Sequence, residues 1–148
     1  MANFHKFYLS RWDNTKYSKP DDGKVFIKPG ITRHMDVMKR FDPSVDNYKK
    51  DYSDWKIKIL FSKKFNTKQE AQEFENYFLY NVFPYNSKYK VWVEDYYGIE
   101  DLQKYNDTGI TELRLLEKEE VDNLVQFLYN SLSDDEKIHK AIARKKYA

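Results

Sequence analysis

A chain of 148 residues can close one hydrophobic core without disulfides or a structural metal, and its 41% hydrophobic and 18% aromatic content supplies the side chains for it. The lack of cysteine excludes a disulfide framework, a thiolate zinc site and a thiol nucleophile, and suits a reducing compartment. Lys and Arg number 26 against 24 Asp and Glu, so the balance of +2 does not point to nucleic acid by itself and any basic footprint has to be local.

No stretch approaches the ~18 apolar residues of a membrane span, and the first residues lack the pattern of a signal peptide. A soluble cytoplasmic protein without a membrane partner is therefore expected. Residues 5–10 and 24–28 read as two strands of a hairpin, joined by a polar loop that holds Asp13-Asn14 and Pro20-Asp21-Asp22-Gly23. Pro29-Gly30 is expected to stop the second strand. Thr32 is then placed to cap a short helix with Met35, Met38 and Phe41 on its apolar side, ending before Pro43.

After a polar segment, the alternation of Trp55, Ile57 and Ile59 with lysines predicts a third strand with one face buried. Thr67-Lys68-Gln69-Glu70 is a capping box opening the main helix, which is expected to run to about Phe83 before Pro84. Residues 90–93 suggest another strand, Tyr97-Gly98 a turn, and residues 111–115 a further extended piece. Val121, Leu124, Val125, Leu128 and Leu132 recur at helical steps and predict an amphipathic helix. Ser133 and Glu136 form a second capping box. The stretch 137–148 carries Lys137, Lys140, Arg144, Lys145 and Lys146 without an acidic residue.

Three features bear on chemistry. Along the main helix Ala71, Phe74, Phe78 and Val82 form one apolar stripe, with Glu75 at its edge, where a half-buried carboxylate can hold a divalent metal beside a substrate phosphate. By periodicity alone such a residue is more often a solvated glutamate. Arg33 and Arg40 share a face if residues 32–41 are helical, and two guanidiniums together suit phosphate, although Asp36 between them could pair with either. Residues 29–32, with Gly30 and Thr32, join a strand to a helix start, where free amides favour an anion or simply make a tight turn.

The order of these features resembles the GIY-YIG nuclease module over roughly residues 4–83. Lys6-Phe7-Tyr8 stands where that family has its first signature, and Lys28-Pro29-Gly30-Ile31-Thr32 is similar to the Lys-x-Gly-x-Thr variant of the second, found in a viral and bacterial branch. Arg40 best matches the family's helix arginine, with Arg33 as the substitute, and Ala71-Gln72-Glu73-Phe74-Glu75 its Ala-x-x-apolar-Glu pattern. The chain departs from the pattern in its long hairpin loop, in Lys6 at the place of the first glycine and in Lys28 at the place of the second tyrosine.

The resemblance implies an α+β fold, with a three-stranded antiparallel sheet flanked by helices over 1–86 and a C-terminal strand and helix extension over 87–148, packed on it as one domain. It implies a metal-dependent DNA endonuclease, phage-encoded by the branch it resembles, in the host cytoplasm if viral. Tyr8, Lys28, Arg40 and Glu75 would be its catalytic residues, and Glu75 would hold one Mg2+ or Mn2+ ion. Gly30, Thr32 and Arg33, with Lys140, Arg144, Lys145 and Lys146 of the tail, would contact DNA or another nucleic acid. No zinc finger or helix-turn-helix is recognisable, so a protein partner would supply sequence specificity. The missing second tyrosine keeps an alternative open: an inactive module of this type that binds nucleic acid or a host protein as a regulator.

Overall fold

Odd and even residues of the first strand are both apolar, so the sheet needs a cover on each face. The computed structural model describes residues 5–41, 52–100 and 110–130. β1 (His5–Asn14), β2 (Lys24–Thr32), β3 (Trp55–Phe65) and β4 (Arg114–Glu117) form an antiparallel sheet in the order β3-β1-β2-β4. The fold is α+β, but the sheet has four strands where three were expected. The fourth comes from the region read as an extension, and it pairs only with Lys24–Ile27 of β2.

That short pairing explains why Pro29-Gly30 does not end β2, contrary to the expectation from sequence. β2 continues to Thr32, with Leu9 opposite Pro29 and Tyr8 opposite Gly30. Past Ile27 one edge of β2 has no ladder to break among the described residues, and a residue without an N–H is tolerated there. β1 is likewise longer than residues 5–10, because both its neighbours pair with it as far as Trp12.

On one face Phe7, Leu9, Val25, Ile27 and Leu116 pack beneath α1 (Lys68–Tyr77) and α3 (Lys118–Asn130). α1 contributes Ala71 and Phe74, and its continuation Phe78 and Val82, so the whole predicted stripe is buried. The opposite face buries Tyr8, Trp12, Phe26 and Trp55 under Val37, Phe41, Ile110 and the short helix α2 (Val93–Tyr97). Trp12, Phe41, Tyr52 and Trp55 meet edge to face there, with centroids 5.3–5.7 Å apart. Tyr17 and Tyr52 pack against this core.

β3 serves both faces because it carries a bulge. Leu9 pairs with Phe61 and Ser10 with Ile59, so Leu60 is an extra residue. The alternation of Trp55, Ile57 and Ile59 on the aromatic face thereby switches to Phe61 and Phe65 on the other.

Local signals were obeyed at α1. Thr67 Oγ1 accepts from Glu70 N at 3.1 Å, although the Glu70 carboxylate takes the Thr67 hydroxyl proton rather than reaching back to the backbone. The helix then widens over Phe78–Val82, where Phe83 N donates to Phe78 O at 3.0 Å. Arg114, wholly buried, stabilises this widened end by donating to Phe83 O at 2.6 Å and Leu79 O at 3.4 Å.

The expected helix after Thr32 is absent. A single 3-10 turn, Val37–Phe41, stands in its place, with Val37 and Phe41 buried and Met35 and Met38 exposed. Residues 90–93 are not a strand either: Tyr89 O accepts from Leu115 N at 2.7 Å, but Val93 already opens α2, and Gly98 ends that helix at φ 68°. Leu132, the Ser133–Glu136 cap and the basic tail lie outside the described residues. No helix among the described residues is long and apolar enough to cross a membrane.

Candidate functional site

Even-numbered side chains of β1 stand on the aromatic face beside those of β2 in the register Trp12–Phe26, Ser10–Lys28, Tyr8–Gly30. Ser10 locks this column: its hydroxyl donates to Lys28 O at 3.0 Å and accepts from Trp12 Nε1 at 2.9 Å. Gly30 has a steric task, because a Cβ there would overlap the phenol end of the Tyr8 ring. The ring therefore lies across β2 and carries its hydroxyl towards the edge that β4 leaves open.

Four further side chains act at this edge. Glu75 of α1 feels the charges of Lys28, Glu112 and Arg40, and Tyr8 those of Arg40, Glu75 and Glu112. Lys28, buried in the middle of β2, holds its Nζ 3.9 Å from Glu112 Oε1 and 3.5 Å from Pro29 O. Arg40 comes from the 3-10 turn and Glu112 from the turn Ile110–Glu112 before β4. The five residues Tyr8, Lys28, Arg40, Glu75 and Glu112, from five separate elements, are thus linked by electrostatic reach, and we call this cluster the notch.

Desolvation dominates its electrostatics. Burial pushes the Glu75 carboxyl up to about 7, Glu112 adds to that rise, and Lys28 and Arg40 oppose it. Burial likewise raises the Tyr8 phenol above its ordinary value, although Arg40 opposes this, so the group stays neutral at physiological pH. No hydrogen-bond donor among the described residues meets the Glu75 carboxyl. A half-buried carboxyl of this kind, with a second carboxylate in electrostatic reach, suits a hard divalent cation, and Mg2+ commonly takes one or two protein carboxylates plus substrate phosphate. Groups of three or more acidic or His ligands do not occur among the described residues. Lys28 and Arg40 would favour the cation's arrival together with an anionic phosphate.

Of the residues singled out from sequence, Tyr8, Lys28 and Arg40 lie within electrostatic reach of Glu75. Arg33 does not: it is exposed, outside the 3-10 turn, and not among the charges acting on Glu75 or Tyr8. The anion site at residues 29–32 is also corrected, because Gly30 and Thr32 belong to β2 and no helix begins there. Thr32 is buried, and its hydroxyl accepts from His34 N at 3.1 Å. Glu70 and Glu73 are exposed and hydrogen-bonded to Thr67 and Gln69. Lys140, Arg144, Lys145 and Lys146 lie outside the described residues. Glu112 had no signal in the sequence, where nothing sets it apart from the chain's other acidic residues.

No protein-family model matches the chain, and no curated protein or solved structure matches it.

Proposed function

We propose that the protein is a divalent-metal-dependent phosphodiesterase that cuts DNA in the manner of the GIY-YIG nucleases. The observation that carries this reading is the convergence of Tyr8, Lys28, Arg40 and Glu75 from separate elements on one sheet edge. In this reading β1, β2 and β3 with α1 are the nuclease unit, and β4 with α3 is an extension that contributes Glu112. A cysteine-free chain of this kind would work in the cytoplasm.

Glu75, with Glu112 in reach, would hold one Mg2+ or Mn2+ ion, which when bound supplies positive charge to the scissile phosphate and acidifies a water. Arg40 offers planar donors to the phosphate oxygens as charge builds on them, and Lys28 adds a point charge beneath. Tyr8 stays a neutral phenol, so it orients the attacking oxygen through a hydrogen bond instead of acting as the base. Water adds to phosphorus and gives up its proton to solvent, the P–O bond to the departing strand breaks, and the departing oxygen takes a proton from solvent.

The test is supercoiled plasmid incubated with the protein and Mg2+ or Mn2+. Nicking or linearisation is expected, abolished by chelator and by Glu75→Ala. Cleavage that survives either treatment refutes the mechanism.

One observation favours a second reading. Tyr8 is only 1% exposed, and a phenol so covered suits a scaffold that binds without turnover. An inactive regulator bound to nucleic acid or a host protein leaves every plasmid intact; if nucleic acid is its partner, it retards DNA in a salt-dependent manner.

A further inference from the structure

Outside the notch residues, Tyr80, Tyr85 and Trp92 are each about half exposed. Tyr80 belongs to the widened turn after α1, Tyr85 follows Pro84, and Trp92 precedes α2. The Tyr80 and Tyr85 centroids are 6.4 Å apart with planes inclined at 35°. Lys90 bridges to the third ring: its Nζ lies 5.5 Å from the Tyr85 centroid and 4.2 Å from that of Trp92.

Tyr85 has an inner and an outer face. The Arg114 guanidinium carbon sits 4.7 Å from its centroid, and Arg114 is wholly buried, so the guanidinium lies on the core side of the ring while Tyr85 keeps 47% of its surface exposed. The patch also borders the notch. Lys90 Nζ donates to Thr111 O at 2.9 Å, and Thr111 precedes Glu112 in the same turn. Burial lowers the Lys90 ammonium to about 8, so it remains mostly charged at neutral pH.

We propose that Tyr80, Tyr85 and Trp92 form a stacking platform for the unpaired bases of a nucleic-acid strand, with Lys90 on its backbone, leading that strand to the notch. The proposal rests on the reading of the notch as a nucleic-acid site. Exposed rings flanked by cations fit a single strand, because each base offers a π face and each linkage an anion. Duplex DNA hides those faces and is not expected to engage the rings.

Trp12 is 0% and Trp55 6% exposed, whereas Trp92 is 49% exposed, so Trp92 is the tryptophan that a ligand in solution can quench directly. Titrating the full chain with a short oligothymidylate is expected to quench tryptophan fluorescence saturably. Its duplex with oligodeoxyadenylate should not. Trp92→Phe should abolish the signal while keeping a ring to stack, and Tyr85→Ala should weaken single-strand binding about tenfold.

Absence of quenching by any strand overturns the proposal. Unchanged affinity in a Tyr80→Ala, Tyr85→Ala double variant that keeps the wild-type circular dichroism overturns it too. Quenching without plasmid cleavage leaves the platform standing and counts against the nuclease reading. Cleavage without quenching does the reverse.

Discussion

Replacing Glu75 with Gln keeps the size of the side chain and removes its ionisation, so the variant measures what the notch does to a carboxylate. Folding raises this group from 4.5 to about 7, chiefly by desolvation. A raised pKa means that the folded protein binds the proton more tightly than the unfolded one. The associated stability is fully present below pH 4.5 and is lost as pH rises through about 7, where the ionised carboxylate bears the whole desolvation penalty. At about 1.4 kcal/mol per pH unit the full penalty is roughly 3 kcal/mol, and contact of the half-buried group with water brings it to about 2 kcal/mol.

Urea titrations of wild type and Glu75→Gln in metal-free buffer provide the assay. At pH 8.5 the variant should be more stable by about 2 kcal/mol, or about 4–8 °C in Tm for a domain of this size. At pH 4.5 the gap should nearly vanish. A gap that is the same at both pH values, or a variant less stable at high pH, refutes the claim that Glu75 is held desolvated beside Glu112. The same pH dependence has a functional corollary: divalent cation binding at neutral pH should release protons, measurable in a weakly buffered titration.

Two further predictions test the frame around the notch. Gly30→Ala places a methyl group in the Tyr8 ring and should cost about 1–3 kcal/mol in urea unfolding. Most of that cost should disappear in a Tyr8→Ala background, and additive effects would show that the ring does not cross Gly30. Arg114→Lys keeps the charge but cannot serve the carbonyls of Leu79, Phe83, Thr111 and Leu113 together, so unfolding should become easier by roughly 2–4 kcal/mol. A lysine variant as stable as wild type would show that those carbonyls find other donors.

Much of the notch was legible because its parts carry local signals. The apolar stripe Ala71, Phe74, Phe78, Val82 fixes which way α1 faces, and that alone puts Glu75 at the border between core and water. Arg40 and Lys28 were marked by their order relative to that helix. Other features failed where tertiary packing outweighed local preference. Met35, Met38 and Phe41 looked like a helix's buried side, but the aromatic face takes only Phe41 of these, together with Val37, and five residues of 3-10 turn suffice to deliver them. Pro29-Gly30 reads locally as a terminator, yet pairing with Leu9 and Tyr8 holds both residues in the strand.

By itself the sequence determined the elements whose burial is periodic: the first half of β3 from alternation, α1 and α3 from their stripes, the start of α1 from Thr67. These depend on neighbours a few residues apart, where pattern and geometry coincide. Only the tertiary structure decided the fourth strand, the bulge at Leu60, the burial of Arg114 and the place of Glu112, because each is stabilised by partners remote in the chain. β4 is only four residues long and is held by its ladder with Lys24–Ile27, and a buried guanidinium is tolerable only where distant carbonyls already await it.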